Sequence, residues 1–431
     1  MKRMLTRSGG TWKLGGVAAL ALAAGCGTPE PEVSWHKDVS PIMQEHCTRC
    51  HAPDGLGIGD FTDLDNVRTF SGRIEARIDE GSMPPATSDP ECRDYLGSEH
   101  LNLPEAKKDV FRRWVELEMP EGDPELAPEL DLPADTLEDA DLVLQPPEPY
   151  QPRFEDPQNP GNEYRCFVLD HGRDEPFYVT GFYPIVDEPQ LVHHVLLLVT
   201  DESNIPSDYD PAVGVDCIDG NGIGDISGMI AGWAPGMQPV RFDDGRGIKV
   251  MPNQKLIVQT HLFRKGPEVD GLTDRTGWSL RTSPGVATEM LMVPLGYYRF
   301  RIPAGDGDYT YDGVERGEGP IELPVSATVH AVFPHMHVLG KRYALSVTPP
   351  EGGEDTCVVE GDYDFDNQLS YVLKEPLGVP RGSKINFSCT WDNSAENPDQ
   401  LVDVPTEVRF GERTDEEMCY AFSLVSLGLP D

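Results

Sequence analysis

Two periodicities divide the chain. Between residues 33 and 119 apolar positions recur at helical spacing. Asp38-Val39-Ser40-Pro41-Ile42-Met43 opens one helix, 66–80 reads as a second, and 104–117 reads as a third. In the third, Val110, Phe111, Trp114 and Leu117 share one face. From about residue 142 the pattern changes to short apolar, β-branched and aromatic runs. These fall at 164–169, 192–199, 255–261, 297–302, 327–333, 343–347, 384–391 and 420–427. Gly, Pro, Asn and Asp interrupt them, as turns interrupt strands. Residues 120–141 hold Pro, Glu and Asp without a period and read as a linker. The expected fold is multidomain. A small all-α domain at 33–119 and an acidic Pro-rich linker at 120–141 precede two all-β sandwich (jelly-roll-like) domains, at 142–290 and 291–431.

Composition narrows the function classes. The 431 residues carry a formal net charge of −39, with no basic stripe, which argues against nucleic acid as a partner. The 43 Gly and 40 Pro make up about a fifth of the chain, below the level of low-complexity segments, so packed cores are expected. Lys2, Arg3, Arg7 and Lys13 precede an apolar stretch at 14–24 that is too short to span a bilayer. This is the layout of a signal peptide. It ends in Leu22-Ala23-Ala24-Gly25-Cys26, which resembles a bacterial lipobox, with Ala23 where Leu is usual. Residues 1–26 are therefore expected to direct a lipid-anchored protein to the bacterial cell envelope. The expected site is the outer membrane, facing the periplasm or the cell surface, with the lipid as the only membrane contact. Export permits disulfides. Cys92, Cys166, Cys217, Cys357, Cys389 and Cys419 are available for them, and spacing does not choose their partners.

Cys47-Thr48-Arg49-Cys50-His51 has the spacing of c-type haem attachment. Two thiols bond the vinyl groups and the adjacent imidazole ligates iron. A second axial ligand is expected from Met83, in Gly81-Ser82-Met83-Pro84-Pro85, with His46 and His100 as competitors. A thioether there would raise the haem potential. The context is similar to class I cytochromes c, so 33–119 is expected to be a cytochrome c domain with one covalent haem c.

Further candidate ligands lie in the β region. His193 and His194 interrupt an apolar run, where unpartnered imidazoles are costly. Neighbouring strand residues face opposite ways, so both can bind one metal only where the strand ends or bulges. His261 closes a strand-like run. His335 and His337 are two apart and share a strand face, whereas His330 has the opposite parity and is set aside. Met418 lies in Glu416-Glu417-Met418-Cys419. Imidazoles suit copper, and a soft thioether favours Cu(I).

The order and context of these residues, with Gly232-Trp233-Ala234-Pro235-Gly236, resemble the copper type II, ascorbate-dependent monooxygenases. That family includes peptidylglycine α-hydroxylating monooxygenase and dopamine β-monooxygenase. The resemblance runs from about residue 142 to the C-terminus. It implies two β-sandwich domains and two copper ions, one held by His193, His194 and His261 and the other by His335, His337 and Met418. It also implies a Cys389–Cys419 disulfide beside Met418, and Cys166 with Cys217 is a further expected pair. The peptide-amidating enzyme grips its substrate carboxylate with an Arg where this chain has Phe333. A family Asn is matched by Tyr420. Peptide amidation is therefore not expected.

The implied activity is hydroxylation of an aliphatic C–H bond of a small molecule by O2. His335, His337 and Met418 form the catalytic centre. Cys47, Cys50, His51 and Met83 hold a haem that relays electrons from a periplasmic donor or an ascorbate-like reductant. The alternative is a periplasmic electron-transfer or copper-handling lipoprotein without hydroxylase activity. Oxygen uptake coupled to a hydroxylated product separates the two.

Overall fold

The computed structural model describes residues 31–53, 55, 57–85, 87–130, 132, 136–156, 161–217, 223, 226–235, 237–242, 245–264, 266–365, 367–411, 413 and 415–428. The expected signal peptide with Cys26, and Gly236, lie outside them. The described chain is mostly β, with several sheets and a small N-terminal helical region. No described helix is long and apolar enough to cross a membrane.

The helical region contains α1 (Ser40–His46), α2 (Leu64–Glu80), α3 (Ser98–Leu101) and α4 (Glu105–Glu116). Asp63 caps α2 by accepting from Asn66 N–H, and Gly81 ends it at φ 75°, a conformation glycine adopts without a Cβ penalty. Val67, Ile74 and Ile78 of α2 meet Phe111 and Trp114 of α4, with Trp35, Val39 and Met43 closing the core. Burying each such side chain stabilises by about 1.5–3 kcal/mol. The helical spacing at 66–80 and 104–117 thus marks real elements. Leu117 falls just past α4.

The described strands form one long sheet with two five-stranded sheets against it, and Arg301–Ile302 pairs with Val408–Arg409 in a separate two-stranded sheet. The nine-stranded sheet runs in the order Leu142–Leu144, Gly277–Ser283, Phe177–Ile185, Arg246–Val250, Thr288–Gly296, Tyr420–Leu427, Ala327–His335, Tyr371–Val379, with Val240–Arg241 beside Phe177–Ile185. One five-stranded sheet has the order Val215–Asp216, Asn162–Leu169, Gln254–Phe263, Val192–Asp201, Ile226–Trp233. The other is built on Lys384–Trp391, Gly340–Thr348 and Thr356–Asp362. Val195, Leu197, Val199 and Val258 of the first small sheet pack on Phe177, Val179, Trp278 and Leu280 of the long one. Leu345, Val347 and Phe387 of the second pack on Val329, Leu373 and Val425. This is sandwich-like packing of two apolar faces.

The strand Thr288–Gly296 crosses the expected boundary at residue 290. It pairs in parallel with Arg246–Val250 and antiparallel with Tyr420–Leu427, so one ladder joins both halves. The run expected at 297–302 is a strand only at Arg301–Ile302, although Tyr297 and Phe300 are buried.

Three disulfides close: Cys92–Cys357, Cys166–Cys217 and Cys389–Cys419. They point to an extracytoplasmic protein. The first ties the helical region to the second small sheet across a sequence separation of 265. Around it Leu96 N–H donates to Val372 O, Asp89 N–H donates to Glu360 O, and the Tyr95 ring meets Tyr371 edge-on. The segment expected as a linker is laid against the protein at both ends. Trp35 N–H donates to Pro120 O, and Asp141 accepts from Thr282.

Candidate metal centres

A register shift places the first histidine set. Val192 pairs with Leu262 and His194 with His261, so His193 is an extra residue on its strand. Such a bulge lets two consecutive side chains leave the strand on one side. His193, His194 and His261 are all buried, and one nitrogen from each lies within 4.8 Å of the others. The Nδ1 atoms of His193 and His194 are 3.3 Å apart, and those of His194 and His261 are 3.4 Å apart. Nitrogens about 2.0–2.1 Å from a three- or four-coordinate metal are separated by roughly 3.3–3.6 Å, so the spacing suits one ion.

The surroundings set the tautomer and the charge. His261 Nε2–H donates to Asn162 Oδ1 at 2.7 Å, which leaves Nδ1 as the ligand atom. The Tyr164 ring stacks on His261 at 4.2 Å. Burial pushes the His194 and His261 imidazoles well below their ordinary range, and neighbouring histidines add to this. His335 is the last and smallest of the groups that disfavour a proton on His194. Neutral imidazoles are what a metal requires. This buried cluster can hold a metal ion such as copper.

His335 and His337 leave the end of the strand Ala327–His335 with rings 5.3 Å apart. His335 Nδ1 bonds Gln368 Oε1 at 2.8 Å, which leaves its Nε2 for a ligand, and His337 Nδ1–H donates to Glu416 O at 3.0 Å, with the Arg413 backbone also beside this imidazole. Burial lowers these imidazoles to about 3 and about 4. His335 pairs with Tyr420 in the ladder. His337 lies two residues past the end of its strand and Met418 two residues before the start of its own. Glu417, fully buried, lies between them. Its Oε2 accepts from His337 N–H at 2.8 Å and from Met418 N–H at 3.2 Å. Sequence reasoning missed Glu417, Asn162 and Gln368, because nothing in their local pattern marks them.

His330 sits in another bulge, between Val329 and Ala331. Its Nδ1 faces the Arg246 guanidinium and its Nε2 bonds Ser426 Oγ at 2.8 Å. An Nδ1 that accepts from Arg246 leaves the proton on Nε2, so His330 is a satisfied structural histidine.

In the helical region Cys47 and Cys50 are free thiols at the end of α1. Burial raises both, Cys47 to about 12, opposite to what a redox-active CxxC needs. His51 Nδ1–H donates to Ile58 O at 3.0 Å, and its ring stacks on Phe61 at 4.3 Å. Its Nε2 is left for an axial bond. Met83 follows α2 with its side chain 40% exposed. Of the competitors, His46 is engaged at both nitrogens. Nδ1–H donates to His100 O at 2.9 Å and Nε2 faces Lys107 Nζ at 2.8 Å.

The helical and β regions enclose a cleft of about 750 Å³. Thr48 and Arg49, the two residues between the thiols, line it on one side. Tyr183, Val192 and Trp233 line it on the other. Val192 precedes His193. A larger recess of about 980 Å³ beside Tyr150, Arg153 and Arg264 is lined by none of the candidate ligands.

No protein-family model matches the chain, and no curated protein matches it. Among solved structures, a Paenibacillus xanthan lyase aligns over 73% of this chain and 28% of its own, at 13% identity and a TM-score of 0.15. The tandem CBM22 domains of Paenibacillus barcinonensis Xyn10C align over 69% of this chain and 100% of their own, at 9% identity and a TM-score of 0.18. Broad bean stain virus aligns over 62% of this chain and 75% of its own, at 7% identity and a TM-score of 0.18. Scores this low carry no argument about fold or activity.

Proposed function

We propose that the chain is a copper-dependent monooxygenase, similar to the copper type II ascorbate-dependent family, that hydroxylates an aliphatic C–H bond of a small molecule. Two sandwich domains built on the shared long sheet carry the copper sites, and the helical region is a cytochrome c domain. The observation that carries the reading is the convergence of three buried imidazoles on Nδ1 separations of 3.3 and 3.4 Å. Copper bound at the two sites would supply O2 activation and electron storage, and haem at Cys47 and Cys50 would supply electrons.

The chain's own residues then have distinct parts. His193, His194 and His261, with Asn162 fixing the last ring, form a closed site suited to holding and passing an electron. His335, His337 and Met418 would hold the second copper through two nitrogens and one sulfur, a donor set suited to Cu(I) and to O2 chemistry. Phe333 stacks on His335 and Phe422 lies beside both. These rings present an apolar wall that excludes water and offers a carboxylate no partner. Thr48, Arg49, Trp233 and Val192 place the haem-attachment turn on a cleft that ends one residue from His193.

The test uses copper-loaded, haem-matured protein, reduced without oxygen and then mixed with O2 and candidate apolar metabolites. The expected result is a product heavier by one oxygen atom, seen by mass spectrometry. Oxygen uptake or haem oxidation with no hydroxylated product sinks the monooxygenase and leaves an electron-transfer or copper-handling protein.

A further inference from the structure

Glu417 is a carboxylate with no exposed surface, buried in the second sandwich core. Four N–H groups surround it. His337 N–H, Met418 N–H and Trp391 Nε1–H reach Oε2 at 2.8, 3.2 and 2.9 Å, and Leu339 N–H reaches Oε1 at 2.8 Å. Every one is a donor, so the site takes an acceptor at both carboxyl oxygens, which a Gln amide cannot supply. Burial raises the Glu417 carboxyl to about 8, and the hydrogen bonds from His337, Leu339, Trp391 and Met418 pull the other way.

The bonded amides show what the carboxyl group serves. Oε2 holds the backbone of His337 and of Met418 on a single atom, and these lie on chain segments that are distant in sequence. The His337 imidazole is fixed independently by Glu416 O. Cys389–Cys419 anchors the residue after Met418. The ligand arms are thus pinned at the peptide level to one carboxyl oxygen.

We infer that Glu417 is the positioning residue of the second metal centre: its carboxylate sets the spacing between His337 and Met418, and so delivers the thioether to the ion. This rests on the proposed function. Groups that orient ligands commonly contribute about 10–100-fold in metal affinity. Loss of the carboxylate should act on the second site and spare the first, whose ligands come from the five-stranded sheet that contains Val192–Asp201 and Gln254–Phe263.

The test is copper titration of the full chain, with X-ray absorption of the Cu(I) form reporting sulfur scattering from Met418. Wild type and Glu417→Gln are compared. Trp391→Phe serves as a control, because it removes one donor and destabilises the core without touching a ligand arm. Glu417→Gln is expected to keep the first copper, weaken the second about 10–100-fold and lose the sulfur signal. Trp391→Phe is expected to melt earlier and keep it. Two coppers and an intact sulfur signal in Glu417→Gln overturn the inference alone. Loss of the signal in both variants also overturns it, since the role is then only structural. A wild type that binds a single copper overturns the proposed function together with the inference.

Discussion

The His46 imidazole is wedged between a carbonyl and an ammonium. Its side chain is fully buried, and it faces Lys107 and Glu45, with His100 supplying the carbonyl. Burial first, and the Lys107 charge second, lower it from 6.5 to about 4. The folded chain therefore binds fewer protons than the unfolded chain between those values. Stability is then full above pH 6.5 and is lost as pH falls towards 4. The shift corresponds to roughly 3 kcal/mol. A plot of unfolding free energy against pH should show this slope in wild type and lose it in His46→Asn. An unchanged slope would assign the acid sensitivity to other groups. His46 also shows the limit of reading single residues. The sequence leaves it open as an axial ligand, and only packing reveals that both nitrogens are taken.

At the scale of the element, the bulge at His193 is the decisive feature. Sequence parity states the condition for His193 and His194 to share an ion, and the register shift after Val192 meets it. Deleting His193 would restore a regular ladder, with Val192 still opposite Leu262 and His194 still opposite His261. The variant should fold with little change in melting temperature and lose copper from the first site. Full copper at that site, measured by titration, would remove His193 from the ligand set. The strands were legible where apolar residues run together, as at Val192–Asp201, or alternate with polar ones, as at Lys384–Trp391. Phe177–Ile185 was not, because Gly181 and Pro184 break its pattern. There the chain bends against the strand Gly277–Ser283, with a register shift at Arg281. The Cβ of any residue replacing Gly181 would lie 2.9 Å from Val240 O. The glycine reads as a turn in sequence and serves as a close approach in the sheet.

For the whole molecule, the helical region is fastened as well as tethered. Cys92–Cys357, the bonds of Asp89 and Leu96, and the Lys374–Glu99 ion pair hold it beside the β region. No spacing rule could find that disulfide, because its partners come together only when the folded regions dock. Removing such a link typically costs about 2–5 kcal/mol. Cys92→Ser should therefore add an early calorimetric transition, with the helical core on Trp35, Val67 and Trp114 surviving separately. In stopped-flow mixing, reduced haem in oxidised-copper protein should be reoxidised at a rate independent of protein concentration. The same step should be slower in Cys92→Ser. A rate that rises with concentration in wild type would assign the haem to an external partner.

The long reach of that disulfide also orders events in time. A chain delivered across a membrane from its N-terminus presents Cys47, Cys50 and Cys92 together, with Cys357 still 265 residues behind Cys92. During that interval the correct partner of Cys92 is absent, while Cys47 and Cys50, both free in the folded protein, stand close to it in sequence. A wrong crosslink is thus open early and the native one only late. The native pairing requires that Cys92 wait.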